Sequence, residues 1–179
     1  LDNGIDQFIN LTQDCKDGTD EHLVHYYRLA DDSDRRPLVR AGRREGTPVN
    51  VAFHPVPDEH LPGCNLKGWD ARSFCEIDGY GEDLMSCKQG SPVQATRRIL
   101  DALDHYLEQG RKVYVHCWGG SGRTGTIIGC WIRRHGLAGQ HEVLDCLQDL
   151  RQGDSVKHSK EIPNRRAQED LILSWEDSW

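Results

Sequence analysis

Val113-Tyr114-Val115-His116-Cys117-Trp118-Gly119-Gly120-Ser121-Gly122-Arg123-Thr124-Gly125 decides how the rest of the chain is read. Lys112 to His116 predicts a short strand, and from Gly122 the pattern turns helical. Between them, Cys117 and Arg123 bracket Trp118, Gly119, Gly120, Ser121 and Gly122. The glycines let successive backbone N–H groups point into one concavity. The N-terminus of the following helix adds partial positive charge at the same point. The loop is therefore shaped for a tetrahedral oxyanion. Arg123 is expected to close round that anion with a planar, bidentate fork, a geometry lysine lacks. Cys117 sits under the anion, where cations and a helix N-terminus favour the nucleophilic thiolate. His116 is expected to order the backbone around the sulfur, and the Thr124 hydroxyl to donate to the sulfur as it leaves.

The flanking sequence supplies a frame for this loop. Upstream, Ser91-Pro92-Val93-Gln94 reads as a capping box with proline at the first helical position. Ile99, Leu100, Leu103, Tyr106 and Leu107 share one face of the helix that follows, and Gly110 is placed to end it. Downstream, Arg133, Arg134 and His135 suit the negative end of a helix dipole, with Gly136 after them. Val143, Leu144, Leu147 and Leu150 mark another helix, closed by Gly153. Asn164 is read as the cap of a last helix carrying Ala167, Leu171, Ile172 and Trp175. Nearer the start, Ile5–Leu11, Leu23–Leu29 and Val49–Val56 read as strands, the last ended by Pro57. Strands followed by helices predict an α/β domain with a central mixed sheet flanked by helices. One phosphate-handling domain is expected over 1–179, with an insertion or long loop at about 62–90, where glycines, cysteines and charges follow no period.

Composition narrows the function classes. Charged residues make up 28% and hydrophobic residues 36%, which reads as soluble and globular. The net charge of −7 argues against broad binding to nucleic acid or anionic membrane. The apolar stretches are too short to span a bilayer. Leu1 to Asn10 lacks a basic region followed by an apolar run, so no leader is read there. The 7 cysteines are odd in number and include no CxxC pair, which predicts reduced thiols and a cytoplasmic address. Cys64, Cys75 and Cys87 fit no zinc-ligand spacing, and His54 and His60 have no third partner, so no metal is expected. Cys130, Cys146, Trp131 and Trp175 fall in helical patterns and read as core. The arginines 35, 36, 40, 43 and 44 read as a solvated loop, with recognition of an acidic flank or a second phosphate as the sharper option.

His-Cys-x5-Arg-Thr-Gly, from His116 to Gly125, resembles the signature of the cysteine-based protein-tyrosine phosphatase superfamily, and most closely its compact dual-specificity branch, bacterial members included. The resemblance implies a phosphatase-like fold and hydrolysis of phosphate monoesters through a phosphocysteine. It also implies a mobile loop carrying an aspartate as general acid. Val56-Pro57-Asp58 resembles that loop, which makes Asp58 the expected acid; Asp70, Asp78 and Asp83 are its rivals in the insertion. Gln168 is the weak match to the glutamine that positions water in the tyrosine-specific enzymes. Trp118 is unusual in a phosphate loop, where it would narrow the entrance or stack on an aromatic substrate.

Competing readings explain less. Gly120-x-Gly122-x-x-Gly125 matches a dinucleotide fingerprint, yet the next segment is helical and the fingerprint leaves Cys117 and Arg123 without a role. A Walker loop lacks its lysine. The expected substrate is a phosphoprotein carrying phosphotyrosine, with phosphoserine or phosphothreonine as a dual-specificity extension, and no cofactor is expected. The alternatives are a phosphoinositide or inositol phosphate phosphatase, against which the loop's lack of lysine counts, and a catalytically silent phospho-binding module.

Overall fold

A computed structural model describes residues 4–13, 19–23, 50–63 and 92–176. Three strands, β1 (Gln7–Asn10), β2 (Asn50–Phe53) and β3 (Val113–His116), form a sheet of order β2-β1-β3. Both pairings are parallel, with Ile9 opposite Ala52 on one side and Val115 on the other. The described sheet is thus wholly parallel. Leu23–Leu29, expected as a strand, lies outside the described residues beyond Leu23, which sits in a bend. Most of the expected insertion at 62–90, the acids Asp70, Asp78 and Asp83, and the basic run at 35–44 also lie outside them.

Among the described residues, four helices flank β3 in sequence: α1 (Pro92–Glu108), α2 (Gly122–Arg134), α3 (Val143–Leu150) and α4 (Arg166–Leu173). α1 ends as its glycine predicts. Gly110 takes φ 72°, and the N–H groups of Gly110 and Arg111 return to the carbonyls of Leu107 and Tyr106. α2 is the central helix, packed against α1, α3 and α4. Ile127, Cys130 and Ile132 of α2 join Leu100, Leu147, Ile172 and Trp175 in one core with Ile9 and Leu11. A Cβ on Gly129 would lie 2.6 Å from Ile172 Cδ1, so glycine sets how closely α2 and α4 approach.

Some local expectations need correction. Leu150 is 68% exposed and contributes nothing to the face that Val143 and Leu147 bury, because the last turn of α3 carries it out to solvent. Asn164 does not cap α4: the N-cap is Arg165, in extended conformation, and no side chain closes that helix end. The cations at the end of α2 do more than meet a dipole. Arg134 pairs with Asp101 and Asp104 on α1, while Arg133 donates to the carbonyls of Ala138 and Trp175.

The parallel arrangement brings three chain segments to one edge, where sites in such sheets form. β1 runs into Leu11-Thr12-Gln13, β2 into His54–Asp58, and β3 into Cys117. Leu11 joins them: its N–H donates to His116 O, and its carbonyl accepts from Val56 N–H.

Candidate active site

Cys117 is buried at the end of β3, and the N–H of Gly120 donates to its Sγ at 3.3 Å. Gly120 takes φ 69°, a left-handed conformation that costs glycine little and turns this N–H inward. Ser121 forms the N-cap of α2 with no side-chain capping bond. The first N–H groups of α2 therefore have no side-chain cap competing with an incoming anion. His116 Nδ1 lies 3.3 Å from Cys117 O, in position to order the backbone beside the sulfur. Thr124 Oγ1 is buried without a hydrogen-bond partner among the described residues, so its hydroxyl is not bonded to the sulfur in this state.

Arg123 leaves the first turn of α2 and is almost wholly buried. Asp20 holds it through both carboxylate oxygens, Nη1 to Oδ2 at 2.5 Å and Nη2 to Oδ1 at 3.0 Å. Nη1 also donates to Val56 O at 3.1 Å, and Nη2 lies 2.8 Å from Asp58 Oδ1. Nε is buried with no partner among the described residues. The edge formed by Nε and Nη2 is thus where a phosphate can bind bidentately, displacing only the half-exposed Asp58. Burial works against the charge on Arg123. The hydrogen bond and charge of Asp20, then the charges of Cys117 and Asp58, outweigh it and raise the guanidinium pKa. Asp20 shows the mirror balance: burial pushes its carboxyl up, but Arg123, the Gln13 N–H and Thr19 bring it below the ordinary carboxylate value.

Asp20 was not read from the sequence. Asp14, Asp17 and Asp20 follow β1 in one polar stretch, and nothing in type or spacing separates them. The signal in the sequence was weak: Asp20 follows, within ten residues, a segment that reads as a strand. Its turn is specified by Gln13, whose N–H donates to Asp20 Oδ2 at 2.8 Å and whose carbonyl accepts from Asp20 N–H at 3.0 Å.

The loop bearing Asp58 is held from two sides. Asp58 N–H donates to Thr19 Oγ1 at 2.8 Å, next to Asp20. Across the site, Arg165 pairs with Glu59, and Gln168 Nε2 donates to His60 O at 3.3 Å. Glu59 takes φ 63°, which closes the tight turn after Asp58. Gln168 is fully buried, with Oε1 unpartnered among the described residues. A Cβ on Gly122 would lie 3.0 Å from that oxygen and 2.6 Å from Asn164 Oδ1, so both side chains border the anion loop. Trp118, by contrast, points outward: it is 64% exposed and meets the His22 ring edge-on at 5.8 Å. His54 and His60 belong to no cluster of metal-ligating type among the described residues, and Cys64, Cys75 and Cys87 lie outside them.

A thiol under a glycine loop, with a buried arginine fixed by carboxylates at the edge of a parallel sheet, is the arrangement of the cysteine-based protein-tyrosine phosphatases. Comparison with known proteins agrees. Residues 88–170 match the family model PTP-SAK, described as a Swiss Army Knife protein with a DSP-PTPase phosphatase domain. The chain is 29% identical over 128 residues to dual specificity protein phosphatase CDC14AB of Danio rerio, covering 67% of this chain and 20% of that protein. It is 35% identical over 72 residues to dual specificity protein phosphatase CDC14C of Homo sapiens, covering 40% of this chain and 15% of that one. The chain thus spans a fifth or less of these relatives. The crystal structure of Tk-PTP in the active form shares the fold, with a TM-score of 0.57 and 17% identity, over 99% of this chain and 82% of that one. Residues 88–170 match a phosphatase domain of the dual-specificity type, within the cysteine-based protein-tyrosine phosphatase superfamily. Among the described residues, no helix is long and apolar enough to cross a membrane.

Proposed function

We propose that this chain hydrolyses phosphate monoesters of proteins through a phosphocysteine on Cys117. The observation that carries the reading is the juxtaposition of Cys117 Sγ, bonded by an inward N–H, with an Arg123 whose Nε is unpartnered among the described residues and whose Nη2 meets the half-exposed Asp58. The thiolate attacks phosphorus as the ester P–O bond breaks, and protonated Asp58 gives its proton to the leaving oxygen. Water then attacks the phosphocysteine. Asp58 takes a proton from it, the S–P bond breaks, and phosphate leaves with the thiolate restored. Arg123 and the N–H groups of Trp118 to Arg123 hold the equatorial oxygens in both steps. Thr124 donates to the sulfur as it departs, and Gln168 orients the water through its unpartnered oxygen. None of these steps draws on a metal or an organic cofactor.

The exposed Trp118, with His22 against it, supplies an aromatic wall beside the loop and favours phosphotyrosine among phosphoprotein substrates. Hydrolysis of p-nitrophenyl phosphate, with and without EDTA, tests the chemistry; turnover that persists in EDTA is expected. Phosphate-ester binding without turnover would leave a silent binding module instead. A panel of phosphotyrosine and phosphothreonine peptides and phosphoinositides tests the substrate, and preference for a phosphoinositide would reject the protein reading.

A further inference from the structure

One peptide unit of the anion loop is held at both ends. The N–H of Gly120 donates to Cys117 Sγ at 3.3 Å, and the carbonyl of the same unit, Gly119 O, accepts from Lys157 Nζ at 2.8 Å. Lys157 lies far away in sequence, between α3 and α4, and its segment is anchored there. Asp154 Oδ1 accepts from the N–H groups of Val156 and Lys157 at 2.9 and 3.0 Å, and Gln148 Nε2 donates to His158 O at 2.6 Å. The unit joins two glycines, so side chains offer little resistance to its rotation. A flipped unit would point a carbonyl dipole, not an N–H, at the sulfur and at any phosphate above it.

We infer that Lys157 is a positioning residue, which acts on the nucleophile through the Gly119–Gly120 peptide. Its ammonium holds the carbonyl outward and polarises the peptide, so that the N–H at the other end is a stronger donor to the Cys117 thiolate. Lys157 touches neither the sulfur nor the reacting phosphate in this scheme. The inference deepens the proposed function, since it concerns the thiolate on which that function depends.

The test reads the thiolate without turnover. Cys117 is alkylated with iodoacetamide in the unaltered protein, in Lys157→Met and in Lys157→Arg, and its modification is followed by mass spectrometry at about pH 5 and about pH 9. Lys157→Met is expected to slow alkylation about two- to tenfold at the lower pH, the effect of one ordinary hydrogen bond. The rates are expected to converge toward the higher pH, and arginine should restore the low-pH rate. Equal rates at low pH would overturn the inference. So would a loss of the same size at both pH values, which would mean that access to the sulfur had changed. If Lys157→Met does not fold, Lys157→Leu, which also lacks a donor, carries the same comparison. A protein that hydrolyses no phosphate ester would end the proposed function but leave these alkylation rates to decide on Lys157.

Discussion

Asp20 grips Arg123 with both carboxylate oxygens across 103 residues of sequence, and both side chains are 1% exposed. The pair leaves the guanidinium with a fixed plane and one edge turned toward the anion loop. Removing one partner of a buried pair leaves the other uncompensated, at a cost of about 3–5 kcal/mol. Asp20→Ala is therefore expected to lower thermal stability by several degrees and kcat/KM at least about a hundredfold. Asp20→Glu should recover more stability than activity, because the longer side chain can pair but not hold the same plane. Thermal melting and steady-state kinetics on p-nitrophenyl phosphate separate the two effects. An Asp20→Ala enzyme with unaltered kcat/KM would show that Arg123 needs no such anchor.

Asp58→Asn keeps the turn, because the Asp58 N–H, not the carboxylate, bonds Thr19. It removes the proton donor, so kcat should fall by roughly 10²–10⁴ with a poor leaving group and by much less with a good one. The alkaline limb of the kcat profile should flatten in the variant. Full activity with a poor leaving group would move the acid to another residue.

Cys117→Ser should abolish turnover yet retain phosphate-ester binding, since the loop N–H groups and the Nε–Nη2 edge of Arg123 remain. Calorimetric titration with a phosphopeptide measures the binding, and turnover above background would remove Cys117 from the mechanism.

His54 follows β2 as a partly buried residue, and burial pulls its pKa from 6.5 to about 4. The unfolded chain then binds more protons than the folded one between those values. The stability that His54 contributes is fully present above about pH 6.5 and is lost as the pH falls toward 4. Denaturant titrations across that window should show a loss of about 1–3 kcal/mol that His54→Gln removes. An equally steep loss in the variant would assign it to other groups.

Gly129→Ala tests how closely the helices pack. Alanine gains about 1 kcal/mol of helix propensity. Its methyl, however, would meet Ile172 Cδ1 at 2.6 Å, Ile172 Cγ1 at 2.9 Å and Leu147 Cδ1 at 3.0 Å. Overpacking of that kind costs about 1–3 kcal/mol, so a net loss in thermal stability is expected. A gain would mean that Ile172 repacks freely.

The site's centre was legible in the sequence because its geometry is local. Strand, cysteine, glycines, arginine and helix follow one another, and each residue type there answers to a neighbour a few positions away. The helices were legible for the same reason, through their periodic faces and Gly110 and Gly136. The strand pairing was not, because nothing in Gln7–Asn10 says that it lies between segments from both halves of the chain. Asp20 and Lys157 were missed on similar grounds. Each acts on the loop from a surface-like, polar stretch whose role exists only after folding. Asn164 misled in the opposite way: it has the chemistry of a cap but lies against Gly122 instead.

The central place of β1 carries a consequence for the order of events during synthesis. The ribosome releases Asp20 and Asp58 long before Cys117 and Arg123, and β1 has one of its two neighbours, β2, while β3 is still unmade. Until then the two acids lack the guanidinium of Arg123. When β3 docks, the same zippering step that gives β1 its second described neighbour delivers the thiol and the guanidinium together, so a reactive sulfur does not precede the groups that restrain it.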